Sequence, residues 1–517
     1  MQLELRLNPD ALRRWHVELV EVLTARHDCD LSIRWVDADP DPDRVIRRVE
    51  VLMALERRVN GLARGRSSRA SRGDLEHMSH RRSTPPELVL DLAGLAPGDP
   101  ETTQGKTRTW CLMFDGAQGE AAALTALVSR QMPVVSVVDV TGDAIVTSGR
   151  PGSESPGVVV TAFEDVLARS TGLVCAALDG NRDTKVRQEP VAEVTRGVLM
   201  KRGLRTLVGA AAHRAYRALY RAPHWRVGWR FVDGPDVIDL QSHPASGWHI
   251  LPDDGFHFFA DPFPIEVAGR THLFVEDFDH RLGRGVISVV EFDANGPIGS
   301  PRPVLRHDVH LSYPFVFESR GDCWMIPEST GAGTVELYRA TRFPDEWARE
   351  AILLDGLQAS DVTLFRHDDR WWMSGTVRDG GSYSDALHLR SADQVRGPWT
   401  PHPANPVVVD IAAARPAGRV VARGGRLIRP VQDGRHGYGA SMSLAEITRL
   451  DQSSFEQRVI AHLSPGDGWD GTRLHTLNRA GRLECIDGSA RSPRFGRPLA
   501  NSRRRVVSRW GPNWSKR

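Results

Sequence analysis

Between residues 260 and 490 the chain repeats one short pattern five times: a strand, a turn carrying Gly or Asp, and a second strand opening on a basic, aromatic or aliphatic residue. The copies are PIEVAGRTHLFVE (264–276), FVFESRGDCWMIPE (315–328), TLFRHDDRWWMSG (363–375), RVVARGGRLIRPVQD (419–433) and LHTLNRAGRLECID (474–487). With Gly269, Gly321, Asp369, Gly425 and Gly481 as turn markers, they follow one another at intervals of 52, 48, 56 and 56 residues. A lone hairpin is marginal in water, so each unit must bury its faces against its neighbours. Intervals of this length, each holding several short strands, are those of propeller blades. The repeat predicts one closed five-bladed β-propeller over 225–490, with WRVGWRFVD (225–233) completing the last blade.

The same repeat predicts where chemistry gathers. In an antiparallel hairpin, the residue about eight before the turn marker and the one about seven after it lie at the same open end. Counting back gives Asp261, Tyr313, Asp361 and Arg473, and, with two extra residues in the fourth copy, Arg415. Counting forward gives Glu276, Glu328, Thr376 and Gln432, with Asp433 beside it. In a radial arrangement these ring one mouth of the central channel. Carboxylates brought together in a concave site repel and desolvate one another, so that one stays protonated while another ionises. Glycosidic bond cleavage uses that division between a proton donor and a base or nucleophile. Arg415 and Arg419 in ARPAGR, with Arg429 in LIRP, would suit a phosphate, a nucleotide diphosphate or a uronic acid if all faced the mouth. The structural alternative stays open for each: an Asp before Pro is a common turn residue, the arginines can tie blades together through Glu328 and Asp433, and His475 can be a hydrogen-bonded core histidine.

The segment FFADPFPIEVAGRTHLFVED resembles the opening blade of the arabinanase, levansucrase and glycoside hydrolase family 43 type of five-bladed propeller. In that pattern an Asp before Pro begins the innermost strand and acts as base. The motifs ADPFPIE, SYPFVFE with IPES, SDVTLF with RWW, ARPAGR with LIRPVQD and YG, and HTLN with ECIDG resemble the N-terminal propeller domain of plant glucosamine inositolphosphorylceramide transferase, over roughly residues 225–490. The resemblance implies Asp261 as base, Asp361 as the second Asp that tunes the acid, and Glu328, or else Asp433, as general acid. It sets His475 near an ion or water, and leaves Tyr313, Glu276, Arg415, Arg419, Arg429, Asp433 and Arg473 as substrate-binding candidates. In the plant protein, transfer is attributed to a separate C-terminal glycosyltransferase domain, so the resemblance does not imply the ceramide reaction here.

Before the repeat, residues 1–190 alternate β-rich runs, LVLDLAGL (88–95), WCLMFD (110–115) and PVVSVVDV (133–140), with helical patterns at 43–62 and 161–178. Such alternation predicts an α/β domain with a mostly parallel sheet. Its order loosely resembles the formyltransferase-like domain that precedes this propeller in some bacterial proteins. The His-x-Ser-Leu-Leu-Pro stretch of those enzymes is missing, which implies a scaffold or specificity module without catalysis. Residues 191–224 read as a basic amphipathic linker helix, either packed between the domains or, over 192–221, lying on an anionic membrane, and 491–517 have the charge pattern of a disordered arm that also suits such peripheral contact. A net charge of only +2 argues against a specific nucleic-acid role for the whole protein. Five scattered Cys without CxxC spacing imply neither a disulfide framework nor a zinc site. With MQLELRLNPDALRRW lacking an apolar signal core, the expected location is cytoplasmic.

Two functions therefore stand at this level. One is a carbohydrate-active enzyme acting on a glycan, sugar phosphate or nucleotide- or lipid-linked sugar at the propeller mouth, with no cofactor and no metal. The other is a non-catalytic glycan or glycolipid binding module on an α/β scaffold.

Overall fold

Turn chemistry sets the register of the blades. In the first four copies, two residues separate the paired strand ends and both have left-handed backbone: Ala268 and Gly269 (φ 49° and 74°), Arg320 and Gly321 (56° and 82°), Asp368 and Asp369 (48° and 59°), Gly424 and Gly425 (54° and 76°). This is the type I′ signature, whose twist matches that of the flanking strands. In the fifth copy the loop is Gly481 and Arg482, between Ala480 and Leu483, and Gly481 at its first position has φ 53°.

The computed structural model describes residues 1–26, 28–36, 43–78, 85–93, 107–180, 186, 194–466, 469 and 471–495. Most of the predicted basic arm, from 496 onward, lies outside the described residues, as do the last two residues of the run 88–95 and the first three residues of the predicted linker. The chain forms two compact units: Met1–Ala211 with Arg378–Ala386 and Asn405–Ile411, and Ala212–Val377 with Leu387–Ala404 and Ala412–Arg517.

The second unit is a five-bladed β-propeller. Its first four blades are His257–Val267, Arg270–Asp279, Arg284–Asp293 and Gly296–Leu305; Ser312–Ser319, Asp322–Glu328, Thr334–Arg342 and Glu346–Asp355; Ala359–His367, Arg370–Val377, Ala386–Ala392 and Thr400–Pro401; and Val421–Arg423, Arg426–Asp433, Ser441–Leu450 and Phe455–Leu463. The fifth is composite: Leu477–Ala480 and Leu483–Ser489 are completed by Trp225–Phe231 and His249–Ile250 from before the first blade. Pairing the two ends of the repeat in one sheet closes the ring without leaving the first or last hairpin unsupported. The innermost strands also bond directly to one another: the Asn478 amide donates to the Pro262 carbonyl at 2.9 Å, Leu477 N–H to the Ala417 carbonyl at 2.8 Å, and the Tyr313 hydroxyl meets Thr363 Oγ1 at 2.9 Å. Buried Phe263, Phe274, Phe315, Trp324 and Met325 fill the space between blades one and two. Each such side chain removed from water contributes about 1.5–3 kcal/mol.

The first unit is an α/β domain on a mixed sheet, in the order Asp30–Trp35, Gln2–Leu7, Leu88–Asp91, Arg108–Phe114, Val135–Asp139, Ala144–Gly149. Pairing is parallel across the first four strands and antiparallel across the rest. The parallel half follows from the strand and helix alternation. In the antiparallel half, Val135–Asp139 and Ala144–Gly149 form a hairpin because a turn over 140–143 folds the chain straight back, whereas Val135–Asp139 runs antiparallel to Arg108–Phe114 with the helix Glu120–Val128 between them in sequence. Helices Arg14–Thr24, Asp43–Asn60, Glu120–Val128 and Val159–Leu178 bury Leu19, Val49, Leu124 and Phe163 in a core shared with Leu5, Leu112 and Val137. The basic stretch after it forms the helix Arg196–Leu219.

Candidate functional site at the propeller mouth

Three consecutive blades open their innermost strand with the same irregularity. The ladder slips between Ala260 and Phe263, between Ser312 and Phe315, and between Ser360 and Thr363. The extra residue follows at the same phase each time: Asp261, Tyr313 and Asp361, with φ 48°, 42° and 54°. A non-glycine residue in that region costs on the order of 1–3 kcal/mol and persists only where its surroundings enforce it. Here the kink turns each backbone N–H onto a carboxylate: Asp261 N–H donates to Asp487 Oδ2 at 2.8 Å, Tyr313 N–H to Asp261 Oδ2 at 3.1 Å, and Asp361 N–H to Glu328 Oε2 at 3.0 Å. The bulges thus give the mouth's acids fixed donors.

The fourth and fifth blades supply the positive charge. Arg415 Nε donates to Asp361 Oδ2 at 2.5 Å, its Nη2 lies 3.9 Å from Glu328 Oε2, and its guanidinium carbon sits 4.9 Å from the centre of the Tyr438 ring. Gln432 donates to the same Asp361 oxygen at 2.8 Å. His475 bridges two acids, with Nδ1 at 2.6 Å from Asp487 Oδ1 and Nε2 at 3.3 Å from Asp261 Oδ1. Thr476 completes the shell of Asp261, donating to Oδ1 at 3.0 Å. The hydroxyl of Tyr313 accepts the Gly418 N–H at 2.9 Å and passes its own proton to Thr363 Oγ1, which donates to the Asp361 carbonyl at 3.1 Å. Donor atoms of Asp261, His475 and Asp487 all lie within 4.8 Å of one another, a donor set that also suits a divalent cation.

Burial and like charge displace the proton affinities of this cluster. Burial, with Asp487 and Asp361 nearby, raises Asp261 to about 6 against the pull of His475. Burial and Glu328 push Asp361 up to about 7 against Arg415. Glu276 stands well above the usual carboxylate range, from burial and then from Asp261 and Asp487. Burial alone would depress His475, but the carboxylates of Asp487 and Asp261 outweigh it and raise the imidazole. Arg415 is likewise held charged by Asp361 in spite of its burial. Reach divides the acids differently: the side chain of Glu328 is 15% exposed, against 4% for Asp361 and 7% for Asp261. Glu328 is the carboxylate of these three best able to meet a ligand.

The structure therefore brings together Asp261, Tyr313, Glu276, Glu328, Asp361, Arg415 and His475. It sets the other candidates apart. Arg419 lies deeper, its guanidinium 5.5 and 5.2 Å from the Phe263 and Phe315 ring centres, and donates to the carbonyls of Pro264 and Val316. Arg429 donates to the Ala413 and Ala414 carbonyls and to Gln457. Asp433 pairs with Arg435 at 2.7 Å, and Arg473 donates to the Tyr438 carbonyl. The guanidinium convergence expected of Arg415, Arg419 and Arg429 is not formed, because the latter two spend their donors on backbone carbonyls. Asp487, Tyr438 and Thr476 join the cluster without having been singled out by the repeat. The signal for Asp487 was present in ECIDG, an acid following apolar Cys485 and Ile486 in a strand that is buried along with it.

Fold and site together define a five-bladed propeller with a hydrogen-bonded acid–base cluster at its mouth. Residues 251–485 match the family model described as glucosamine inositolphosphorylceramide transferase 1, N-terminal. Two relatives carrying the name glucosamine inositolphosphorylceramide transferase 1 are 31% identical over 281 residues in Oryza sativa subsp. indica and 29% identical over 249 residues in Arabidopsis thaliana. These alignments take in 49% and 46% of this chain but only 38% and 32% of the relatives, so the likeness spans under two fifths of either plant protein. Among solved structures, the family 117 glycoside hydrolase Zg3597 of Zobellia galactanivorans aligns with TM-score 0.34 and 12% identity, over 52% of this chain and 91% of that one. That likeness is too slight to say anything of chemistry.

Proposed function

We propose that this is a carbohydrate-active protein of glycoconjugate biosynthesis that takes its sugar ligand at the propeller mouth and performs acid–base chemistry there. Glu328 donates the proton to the leaving oxygen, Asp261 serves as the base, and Asp361 is a positioning residue that holds Glu328 through its backbone N–H and Arg415 through its carboxylate. The observation carrying this reading is the triple bulge, which spends backbone strain in three successive blades to hold acids with displaced proton affinities in one place. A purely structural cluster has no need of three such kinks. The names of the plant relatives, transferases named for glucosamine and inositolphosphorylceramide, favour a sugar or glycolipid as the ligand.

A second reading has its own support. The pairing of Asp361 with Arg415 and of Asp261 with His475 engages both the proposed base and the positioning acid, as befits a recognition module. The Glu328→Gln variant separates the two. For the enzyme, turnover falls by about 10²–10⁴-fold while ligand affinity changes little. Turnover equal to wild type would remove Glu328 from the mechanism, and ligand binding with no turnover in either protein would establish the recognition module.

A further inference from the structure

The helix Arg196–Leu219 is built from two unlike faces. On one side Arg202, only 4% exposed, donates to the Gly157 carbonyl at 3.1 Å, Thr206 Oγ1 lies 3.5 Å from Glu56, and Leu199 packs against the core of the first unit. The opposite side is apolar and open: Met200 is 76% exposed, Leu204 63%, Leu207 48% and Val208 58%. At 3.6 residues per turn, all four lie within about 60° of the direction of Leu204. Hydrophobic side chains scattered singly on a surface need no explanation, but a continuous stripe on one helix does.

Charge says what covers it. Lys201 and Arg205 border the stripe on one edge, Arg196 and Arg214 on the other, and the 24 residues contain no Asp or Glu. A second copy of the chain laid face to face would set arginine against arginine. The sequence beyond 496, with RRRVVSR, is basic as well and equally unsuited. An anionic lipid surface supplies both halves of the match: acyl chains for Met200, Leu204, Leu207 and Val208, and headgroup charge for the flanking cations. Among the described residues no helix is long and apolar enough to cross a membrane, so the geometry points to a helix lying in the plane of the headgroups. We infer that residues 196–214 form a docking face for an anionic bilayer. This holds whether or not the mouth is catalytic.

The test is co-sedimentation of the full chain with vesicles of phosphatidylcholine alone and of phosphatidylcholine mixed with phosphatidylglycerol. Wild type pellets with the mixed vesicles and not with the neutral ones, and added salt releases it. Leu204→Gln with Leu207→Gln, and separately Lys201→Gln with Arg205→Gln, each reduce binding by about tenfold or more, with thermal unfolding unchanged in the apolar pair because both side chains are exposed. Equal pelleting with both vesicle types, no pelleting with either, or retention of binding by the apolar pair variant would overturn the inference. So would a wild-type dimer in light scattering that this variant converts to monomer, which would put a second copy on the face. A sharp loss of thermal stability in the apolar pair variant would show the stripe to be packed and not free.

Discussion

The contact between Asp361 and Arg415 sets the strongest expectation for any single residue. Arg415 is 6% exposed, so Asp361→Asn removes its nearest carboxylate and leaves the guanidinium the more distant Glu328, at a cost of up to about 3–5 kcal/mol. Adding Arg415→Met to that variant recovers part of the loss, and a urea-unfolding double-mutant cycle measures the coupling. Additive effects would contradict the pairing. Protonation gives a second test with a definite sign. Asp261 and Asp361, raised to about 6 and about 7, keep protons in the native state that the unfolded chain has already released. Their stabilising contribution is full below the unfolded carboxylate value of about 4 and is lost as pH rises through the folded values. His475, raised as well, acts in the same direction above its unfolded value. Urea midpoints for wild type therefore drop between pH 5 and 8 more steeply than those of Asp261→Asn; parallel slopes would refute the assignment. The sequence made Asp261, Tyr313 and Asp361 legible because all three sit at one count from a turn. Tyr438 was not, since its role comes from a blade junction that no local spacing encodes, and Asp487 showed only as an acid in ECIDG that the count passed over.

Among the elements, the hairpins and bulges carry the testable strain. Asp369 has φ 59° in a type I′ turn, where glycine avoids the clash between Cβ and backbone, so Asp369→Gly should raise stability by about 1 kcal/mol. A melting point that does not rise would mean the side chain has compensating bonds in solution. Gly418 makes the opposite case. Its φ is 138°, and a Cβ there would lie 2.1 Å from the Leu477 carbonyl oxygen of the neighbouring blade. Gly418→Ala should cost about 3 kcal/mol or more and break the Tyr313 bond that Gly418 N–H supplies. A near-neutral effect would argue against this blade-to-blade approach. These particulars also explain where counting from the repeat lost accuracy. In the fifth blade the marker glycine occupies the first loop position instead of the second, which moves the count by one, from Arg473 to Leu474; His475 and Thr476, which reach the acids, follow directly. In the fourth, Pro416 to Gly418 interrupt the inner strand, which is why two additional residues separate Arg415 from the turn.

The propeller was legible at the scale of the whole molecule because periodicity survives substitution: five turns at near-equal intervals specify five blades, and WRVGWRFVD was left over to close them. The first unit was legible in its parallel half through strand and helix alternation. Its strands Gln2–Leu7 and Asp30–Trp35 are six residues each and declare themselves only through pairing, Gln2–Leu7 lying between Asp30–Trp35 at the edge and Leu88–Asp91. Nor could sequence show that Arg378–Ala386 belongs to this unit. That follows from buried Arg169 donating to Asp385 at 2.7 Å and to Asp379 at 2.7 Å, contacts 216 and 210 positions apart. Calorimetric titration of sugars, sugar phosphates and nucleotide sugars into wild type, Asp261→Asn and Glu328→Gln, with product analysis of each mixture, tests the central claim most directly. One ligand class is expected that all three proteins bind and only wild type consumes. Binding to none of them, or consumption undiminished in both variants, would contradict a catalytic site at the propeller mouth.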